Sequence, residues 1–250
     1  MTSRSFPPVM ILGCGRSGTS IFGEMFNYFG GYTYRSEPPF DDVMSADFSV
    51  PQAFKVPREC SQYPADSGLS FPISAAVKRA PKMNFFWIVR HPLDAVSSLR
   101  VGISNNWGHH PRPPDWQDWL SRPLVEQCAH HWAFINSYGF NNVSSRAHVV
   151  RFESMVSDPK QFAKSVCDIL RPGKREVPNS IHEWAARVQN ENNADFIEAE
   201  TSRAYSTNDH AVRIGRWQEN LSKSDIARML PIVEETGTSF GYSFPDISKN

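Results

Sequence analysis

The chain has 250 residues, of which 40% are hydrophobic, and its 26 Lys and Arg residues balance 26 Asp and Glu residues. This length predicts one well-filled domain over residues 1–250 and excludes two large ones, while the balanced charge argues against nucleic acid or a membrane surface held by overall basicity. No C-x-x-C pair occurs among the four cysteines, which indicates neither a zinc site nor a disulfide framework: Cys14, Cys60, Cys128 and Cys167.

The first predicted elements are a strand at residues 9–12, a glycine-rich loop and a helix at residues 21–29. Glycines in such a loop let successive N–H groups converge on phosphate oxygens at the positive end of the helix. We therefore predict a phosphate-bearing ligand, bound by Gly15, Arg16, Ser17, Gly18, Thr19 and Ser20.

The spacing of this loop bears on the kind of phosphate ligand. Gly13 and Gly18 match the two glycines of the nucleoside-triphosphate loop G-x-x-x-x-G-K-[ST], but Thr19 stands where that loop has its lysine. Arg16 and the hydroxyl groups suit one phosphate carrying a bulky anionic group better than a magnesium-bound triphosphate. A P-loop kinase or NTPase lacking the lysine, a protein that binds nucleotide without catalysis, and a purely structural glycine turn are the alternatives.

Further strands are predicted at residues 52–56, 84–89 and 148–152, separated by helical patterns, which indicates a mainly parallel sheet in an α/β/α arrangement of three layers. Arg90 follows a continuous apolar run, at the strand end where open α/β sheets bind ligands. In a helix from Pro92, Ser98 lies about two turns in and faces back toward that strand end. The pair predicts a second anion pocket, although a surface ion pair between Arg90 and Asp94 is the alternative.

Residues 102–123 combine three tryptophans with prolines and histidines, which predicts an irregular lid that determines acceptor specificity. Ordinary packing of the lid on the domain explains the tryptophans equally well. A helix at residues 124–138 follows. The polar segment beginning at residue 189 predicts a loop, 189–217, that closes on the nucleotide.

These motifs, in this order, resemble the sulfotransferases that use 3′-phosphoadenosine 5′-phosphosulfate (PAPS). Residues 16–20 are similar to the family's 5′-phosphosulfate loop, and residues 85–98 resemble its 3′-phosphate motif of strand, Arg and a Ser eight residues later. Residues 212–222 resemble its late nucleotide loop, which implies further cofactor-binding groups at Arg213, Gly215 and Arg216. Where some members stack adenine on a Trp, this chain has Ile21.

The resemblance also implies the chemistry: a P-loop NTPase-like sulfotransferase fold, PAPS as donor, adenosine 3′,5′-bisphosphate (PAP) as product, and no metal. Phe54-Lys55-Val56-Pro57 resembles the family's K-x-P segment, which implies that Lys55, together with Arg16, stabilises the leaving group. Glu37-Pro38 resembles the Glu-Pro segment of carbohydrate and protein-tyrosine sulfotransferases, which implies Glu37 as the base. The rival bases are histidines: His91, His109, His110, His130 and His131.

Residues 149–154 resemble the family's strand, R-[FY]-E, helix element, in which Arg151 or Glu153 has a structural role. The implied acceptor is a hydroxyl group on a small molecule, a carbohydrate or a lipid. We expect a monomer or homodimer, and a cytoplasmic location because no apolar run is long enough to span a membrane.

Overall fold

The computed structural model describes residues 6–55, 73–172, 177–188 and 214–246. Its sheet has five parallel strands in the order β2-β3-β1-β4-β5. The strands are β1 Val9–Gly13, β2 Thr33–Ser36, β3 Gln52–Lys55, β4 Asn84–Val89 and β5 Ala147–Arg151. A mainly parallel sheet was the sequence-based prediction, and it is confirmed.

Helices cover both faces of this sheet. They are α1 Thr19–Tyr28, α2 Phe40–Ser45, α3 Ile73–Arg79, α4 Pro92–Ser104, α5 Leu124–Phe134, α6 Phe152–Ser157, α7 Pro159–Leu170, α8 Asn179–Arg187, α9 Trp217–Asn220 and α10 Lys223–Ser239. A 3-10 turn at Trp116–Trp119 precedes α5, and a π-helical turn at Ile135–Gly139 follows it.

Two apolar cores lie on opposite faces of the sheet because successive strand side chains alternate in direction. Met10 and Leu12 of β1 point into one core, with the helices α3, α4, α5 and α10. Val9 and Ile11 point into the other, with α1, α6, α7 and α8. The predicted three layers are therefore present.

The elements differ from the sequence-based expectations at three places. Strand β2 was not predicted, because its four residues are mostly exposed and leave no apolar pattern. Helix α4 continues to Ser104 and so includes the first residues of the predicted lid, 102–123. The helix predicted at 124–138 changes to the π-helical turn after Phe134.

The carboxyl ends of four strands meet at one edge of the sheet. β1 is central, with β3 and then β2 on one side of it and β4 and then β5 on the other, which makes its end a topological switch point. In register, Ile11 pairs with Lys55 and Gly13 with Ile88, while Ser36 of β2 pairs with Lys55. This register places the glycine loop, Lys55, the segment after β2 and the segment after β4 side by side.

None of the helices in the described ranges is both long and apolar enough to cross a lipid bilayer.

Candidate active site

The phosphate loop, residues 13–20, runs from the end of β1 into α1. Gly18 is the N-cap of α1 with φ +92°, and a Cβ there would lie 2.5 Å from the Phe152 ring. Gly13 has φ +150°, and a Cβ there would lie 2.4 Å from the carbonyl oxygen of Ile88. Side chains at these two positions are excluded by conformation and by contact, so the loop backbone stays close to β4 at the N-terminus of the ten-residue helix.

Arg16 joins the phosphate loop to the second predicted motif. Its backbone is left-handed, with φ 66°, and its Nε donates a 2.9 Å hydrogen bond to Ser98 Oγ. Arg90 Nη1 donates a 3.1 Å hydrogen bond to the Arg16 carbonyl oxygen. The three groups predicted from distant parts of the sequence therefore lie together, and we refer to them, with Asp94, as the nucleotide side.

Arg90 is 1% exposed, and its guanidinium lies 4.2 Å from the centre of the Phe152 ring. Asp94 is also 1% exposed. A surface ion pair between them is therefore wrong as an interpretation, because both groups lie in the interior. At a strand end next to the phosphate loop, a guanidinium is suited to bind an anionic ligand through charge-assisted hydrogen bonds.

Asp94 lies beside these groups and was not among the predicted site residues. Its Oδ2 accepts a 2.8 Å hydrogen bond from the Gly215 N–H, and its Oδ1 accepts a 3.0 Å bond from the Trp217 N–H. A carboxyl group in the first turn of a helix, four residues before Ser98, was the available signal. Through these bonds α4 holds the late turn, residues 214–217, beside the nucleotide side.

The late turn contains two of the three predicted nucleotide groups. Gly215 has φ +81°, and a Cβ there would meet no atom within 4 Å, so its conformation and not the lack of space favours glycine. Arg216 is 3% exposed. Arg213 lies outside the described residues, as does most of the predicted closing loop, 189–217.

Lys55, Ser20 and Glu37 form the transfer side of the site. Lys55 is 4% exposed, and its Nζ donates a 3.0 Å hydrogen bond to Ser20 Oγ and a 2.6 Å ion-paired bond to Glu37 Oε1. Val56 and Pro57 of the K-x-P segment lie outside the described residues. The lysine is thus fixed between the first turn of α1 and the predicted base.

Glu37 follows β2 in a left-handed conformation, with φ 50°, and its N–H donates a 2.9 Å bond to the Lys55 carbonyl oxygen. Its side chain remains 47% exposed although Oε1 contacts a buried ammonium group. A carboxylate held in this way keeps an open face toward solvent while its charge is partly balanced. Such a group can accept a proton from a molecule that approaches from outside.

Three of the rival histidines are engaged elsewhere. His91 Nδ1 accepts from the Leu93 N–H, and its Nε2 is 3.1 Å from the Ser243 carbonyl oxygen. His130 Nε2 is 2.8 Å from Asp115 Oδ1 and its ring stacks on Trp119. Buried His131 accepts from Trp107 Nε1.

His109 lies against the phosphate loop. A Cβ at Gly15 would be 3.2 Å from His109 Nδ1, so the absence of a side chain at Gly15 makes room for this ring. Burial, followed by the positive charges of Arg16 and of neighbouring His110, lowers the pKa of His109 to about 4. Among the rival bases, this histidine is the one that the structure places on the loop.

The lid tryptophans pack on the domain. Trp107 is fully buried and contacts Trp116, whose ring lies under the Arg112 guanidinium at 4.4 Å. These contacts are those of ordinary packing, which was one of the two interpretations of the tryptophans. The packing places the lid segment over α5 and the end of α4.

The last residue of β5 and a residue of α6 stabilise the segment next to the nucleotide side. Glu153 Oε1 accepts a 2.7 Å bond from the His91 N–H, and its Oε2 accepts a 2.8 Å bond from the Tyr242 hydroxyl. Arg151 donates to the Phe240 carbonyl oxygen and lies over the Tyr242 ring. These contacts tie the C-terminal segment to the residue that follows Arg90, which is a structural role.

Within the described residues, no group of three or more His, Cys, Asp or Glu side chains is arranged to hold a metal ion.

No protein-family model matches the chain, and no curated protein matches it in sequence. Solved structures do share its fold. The mouse sulfotransferase SULT7A1, in complex with PAP, matches with a TM-score of 0.56 at 14% identity, over 92% of this chain and 83% of the mouse chain. The sulfotransferase domain from the Synechococcus PCC 7002 olefin synthase matches with a TM-score of 0.54 at 13% identity, over 97% of this chain and 98% of that domain.

The sulfotransferase domain from the curacin biosynthetic pathway matches with a TM-score of 0.52 at 14% identity, over 96% of this chain and all of that domain (100%). These likenesses concern the arrangement of the strands and helices, because sequence identity is low. The fold of this chain is therefore that of the sulfotransferases.

Proposed function

We propose that the chain transfers a sulfuryl group from PAPS to an acceptor hydroxyl. The observation that supports this most directly is the meeting of Arg16, Arg90 and Ser98 at the phosphate loop, with the Lys55–Glu37 pair beside the same loop. One side then offers cations and amides to a doubly phosphorylated nucleotide, and the other offers a cation and a base for transfer. The mouse sulfotransferase of the same fold was solved with PAP, the product that this reaction leaves.

Between the two sides, the loop amides and the hydroxyls of Ser17, Thr19 and Ser20 bind the 5′-phosphosulfate. Arg90 and Ser98 bind the 3′-phosphate, since a guanidinium gives charge-assisted bonds and a serine hydroxyl adds another. Gly15 and Gly18 allow the backbone to approach the anion. In the late turn, Gly215 and Arg216, with Arg213 outside the described residues, contribute to the nucleotide pocket.

On the transfer side, the acceptor oxygen attacks the sulfur in line with the bond to the bridging oxygen. Glu37 takes the proton of the acceptor hydroxyl as the new oxygen–sulfur bond forms. The bond between sulfur and the bridging oxygen breaks, and its electron pair stays on the 5′-phosphate of PAP. Lys55 and Arg16 neutralise the charge that develops on this leaving oxygen.

The Lys55–Glu37 bond of 2.6 Å bears on how the base operates. A carboxylate next to an ammonium group is ordinarily a weak base, because the positive charge favours its ionised form. If Lys55 shifts from Glu37 to the leaving oxygen as charge develops there, the carboxylate loses its partner during transfer. The carboxylate oxygen that Lys55 leaves is then available to the acceptor hydroxyl.

The acceptor approaches from the open face of Glu37, and we propose a hydroxyl of a small molecule, a carbohydrate or a lipid. The reaction needs no metal in this scheme, since the loop, Arg16 and Lys55 supply the neutralising groups. A cytoplasmic location, a monomeric or homodimeric state and a single domain over residues 1–250 remain predictions.

Isothermal titration calorimetry with PAP, and separately with ATP and magnesium, tests the donor. We expect saturable binding of PAP without metal and no binding of magnesium–ATP. Transfer of labelled sulfate from PAPS to a panel of sugars, phenols, steroids and glycolipids then identifies the acceptor. Magnesium-dependent ATP binding without PAP binding would replace the proposal by a kinase or NTPase, and PAP binding without transfer to any acceptor or to water would favour a binding protein.

A further inference from the structure

A histidine of the lid, His109, lies against the phosphate loop, and the proposed reaction does not yet use it. The His109 ring is wedged between the phosphate loop and α4: its Nδ1 lies on the side of Gly15 and its Nε2 on the side of Gly102. A Cβ at Gly102 would lie 2.3 Å from Nε2, so this nitrogen sits directly on the helix backbone. Both neighbours are glycines. Because neither has a side chain, a slot between the phosphate loop and α4 accommodates the imidazole ring.

The slot determines which nitrogen carries the proton. His109 Nε2 is buried and has no hydrogen-bond partner among the described residues. In folded proteins, buried N–H donors without an acceptor are rarer than buried acceptors without a donor. This rarity indicates that an unpaired N–H costs more free energy than an unpaired lone pair. The neutral ring is therefore expected to carry its hydrogen on Nδ1, the nitrogen that faces the loop.

The surroundings keep this ring uncharged. The pKa of His109 is lowered to about 4, first by burial and then by Arg16 and His110, while the Glu37 carboxylate acts in the opposite direction. His131, whose ring centre is 5.9 Å away, also has its pKa lowered by burial and adds no charge at neutral pH. At neutral pH the ring is thus a donor at Nδ1 and carries no positive charge.

We propose that His109 donates a hydrogen bond from Nδ1 to an oxygen of the sulfuryl group of PAPS. The inference rests on the proposed function and adds a residue of the lid that binds the sulfuryl group. The direction follows from the slot, since the ring can present only Nδ1 to the loop that holds the phosphosulfate. As a donor at that atom, His109 does not accept the proton of the acceptor, and that role stays with Glu37.

A neutral donor suits the group being transferred. The three equatorial oxygens of the sulfuryl group carry its negative charge through the in-line step, and a fixed N–H directed at one of them needs no reorganisation during the reaction. No proton leaves His109 in this scheme. Its bond distinguishes PAPS from PAP, because PAP has no sulfuryl group.

The proton position can be measured without turnover. In nitrogen NMR of the protein labelled on histidine, with the His109 signals identified by their loss in His109→Asn, we expect Nδ1 to show the shift of a protonated nitrogen and Nε2 that of an unprotonated one at neutral pH. The opposite assignment would overturn the proposal, because Nδ1 would then be an acceptor facing the loop.

Two substitutions separate donation from packing and from basicity. An asparagine amide nitrogen can occupy the position of Nδ1, so His109→Asn retains a donor but not a base, whereas His109→Ala removes both. We expect His109→Ala to lower PAPS turnover, measured as PAP release with water or an identified acceptor, by about 10²-fold. His109→Asn should recover most of this loss, and both variants should bind PAP with wild-type affinity.

His130→Asn is the matched control, since it changes a histidine of α5 that bonds Asp115 of the lid instead of facing the loop; we expect wild-type turnover. Equal turnover losses in His109→Asn and His109→Ala would overturn the donor role. So would a loss of PAP affinity as large as the loss of turnover, which marks a lid-packing role. Failure of the wild-type chain to bind PAP would instead contradict the proposed function itself.

Discussion

On the nucleotide side, Arg90 and Asp94 are each 1% exposed and bond backbone groups of the phosphate loop and of the late turn. On the transfer side, Glu37 is 47% exposed and is bonded to the side chain of Lys55. The first set, Arg90 and Asp94, is bonded to main-chain groups of two segments. The second is fixed by side chains that can exchange partners.

Under the proposed function, this difference corresponds to what each side binds. The donor nucleotide is always the same molecule, so the groups that bind it can be held in position before it binds. Such preorganisation lowers the entropy lost on binding. An acceptor and a charge that moves during the reaction require groups that are open or can change partner. Substitutions on the two sides should therefore separate affinity for PAP from the rate of transfer.

The largest effect is expected for Lys55→Ala. Removing the ammonium group leaves the charge on the leaving oxygen uncompensated, and turnover should fall by at least about 10³-fold. PAP affinity should change little, because Lys55 bonds Ser20 and Glu37, while Arg90 and Ser98, the proposed groups for the 3′-phosphate, stay in place. Initial rates with PAPS and calorimetry with PAP measure the two quantities.

Lys164→Ala is the control for this variant, because Lys164 is a half-exposed lysine that pairs with Asp168 on α7. It should match the wild-type chain in both assays. A Lys55→Ala protein that keeps its turnover would show that the transfer side does not stabilise the leaving group.

Next comes Glu37→Gln, which keeps an oxygen that can accept the bond from Lys55 Nζ but removes the basic carboxylate. Turnover should fall by about 10²-fold, since positioned proton transfer contributes on that order or more. Glu126→Gln, which affects a largely buried carboxylate paired with the exposed Arg228, is the control. Full activity of Glu37→Gln would remove Glu37 from the role of base.

The sequence predicts the nucleotide side better than the transfer side. β1 and β4 are recognisable because each is an unbroken apolar run, and Arg90 and Ser98 follow from β4 by helical geometry. The nucleotide side was thus largely predictable. The contact of Arg16 with Ser98 was not, because it spans 82 positions and depends on the parallel pairing of β1 with β4.

The transfer side depends on elements without a sequence pattern. β2 is short and mostly exposed, so the position of Glu37 at its end came only from the resemblance of Glu37-Pro38 to a family segment. His109 lies in an irregular segment, and its direction is set by two glycines, Gly15 and Gly102, that are far apart in the sequence. Steric complementarity of this kind is a property of the folded chain and has no local signal.

For the nucleotide side, Arg90→Ala should weaken PAP binding by about 1.5–3 kcal/mol, which is roughly 10- to 150-fold in Kd, because a charge-assisted pair is lost. Turnover at saturating PAPS should fall much less than in Lys55→Ala. Arg228→Ala removes an exposed arginine and is the control. Calorimetry that gives an unchanged Kd for PAP would remove Arg90 from the nucleotide pocket.

The smallest effect is expected for Asp94→Asn, which tests whether the late turn is held in place through α4. The asparagine oxygen can accept only one of the two N–H groups, of Gly215 and Trp217, that the carboxylate binds at 2.8 and 3.0 Å, and its amide group faces the other as a second donor. With one bond lost, PAP affinity should fall by about 5- to 10-fold while turnover at saturating PAPS stays near wild type.

Asp158→Asn is the matched control, because Asp158 also accepts from a backbone N–H, that of Gln161, but at the start of α7. If both variants lose thermal stability and only Asp94→Asn loses PAP affinity, the late turn belongs to the nucleotide side; equal affinities would restrict Asp94 to a structural role and leave Arg90, Arg16 and Ser98 as the groups that determine donor binding.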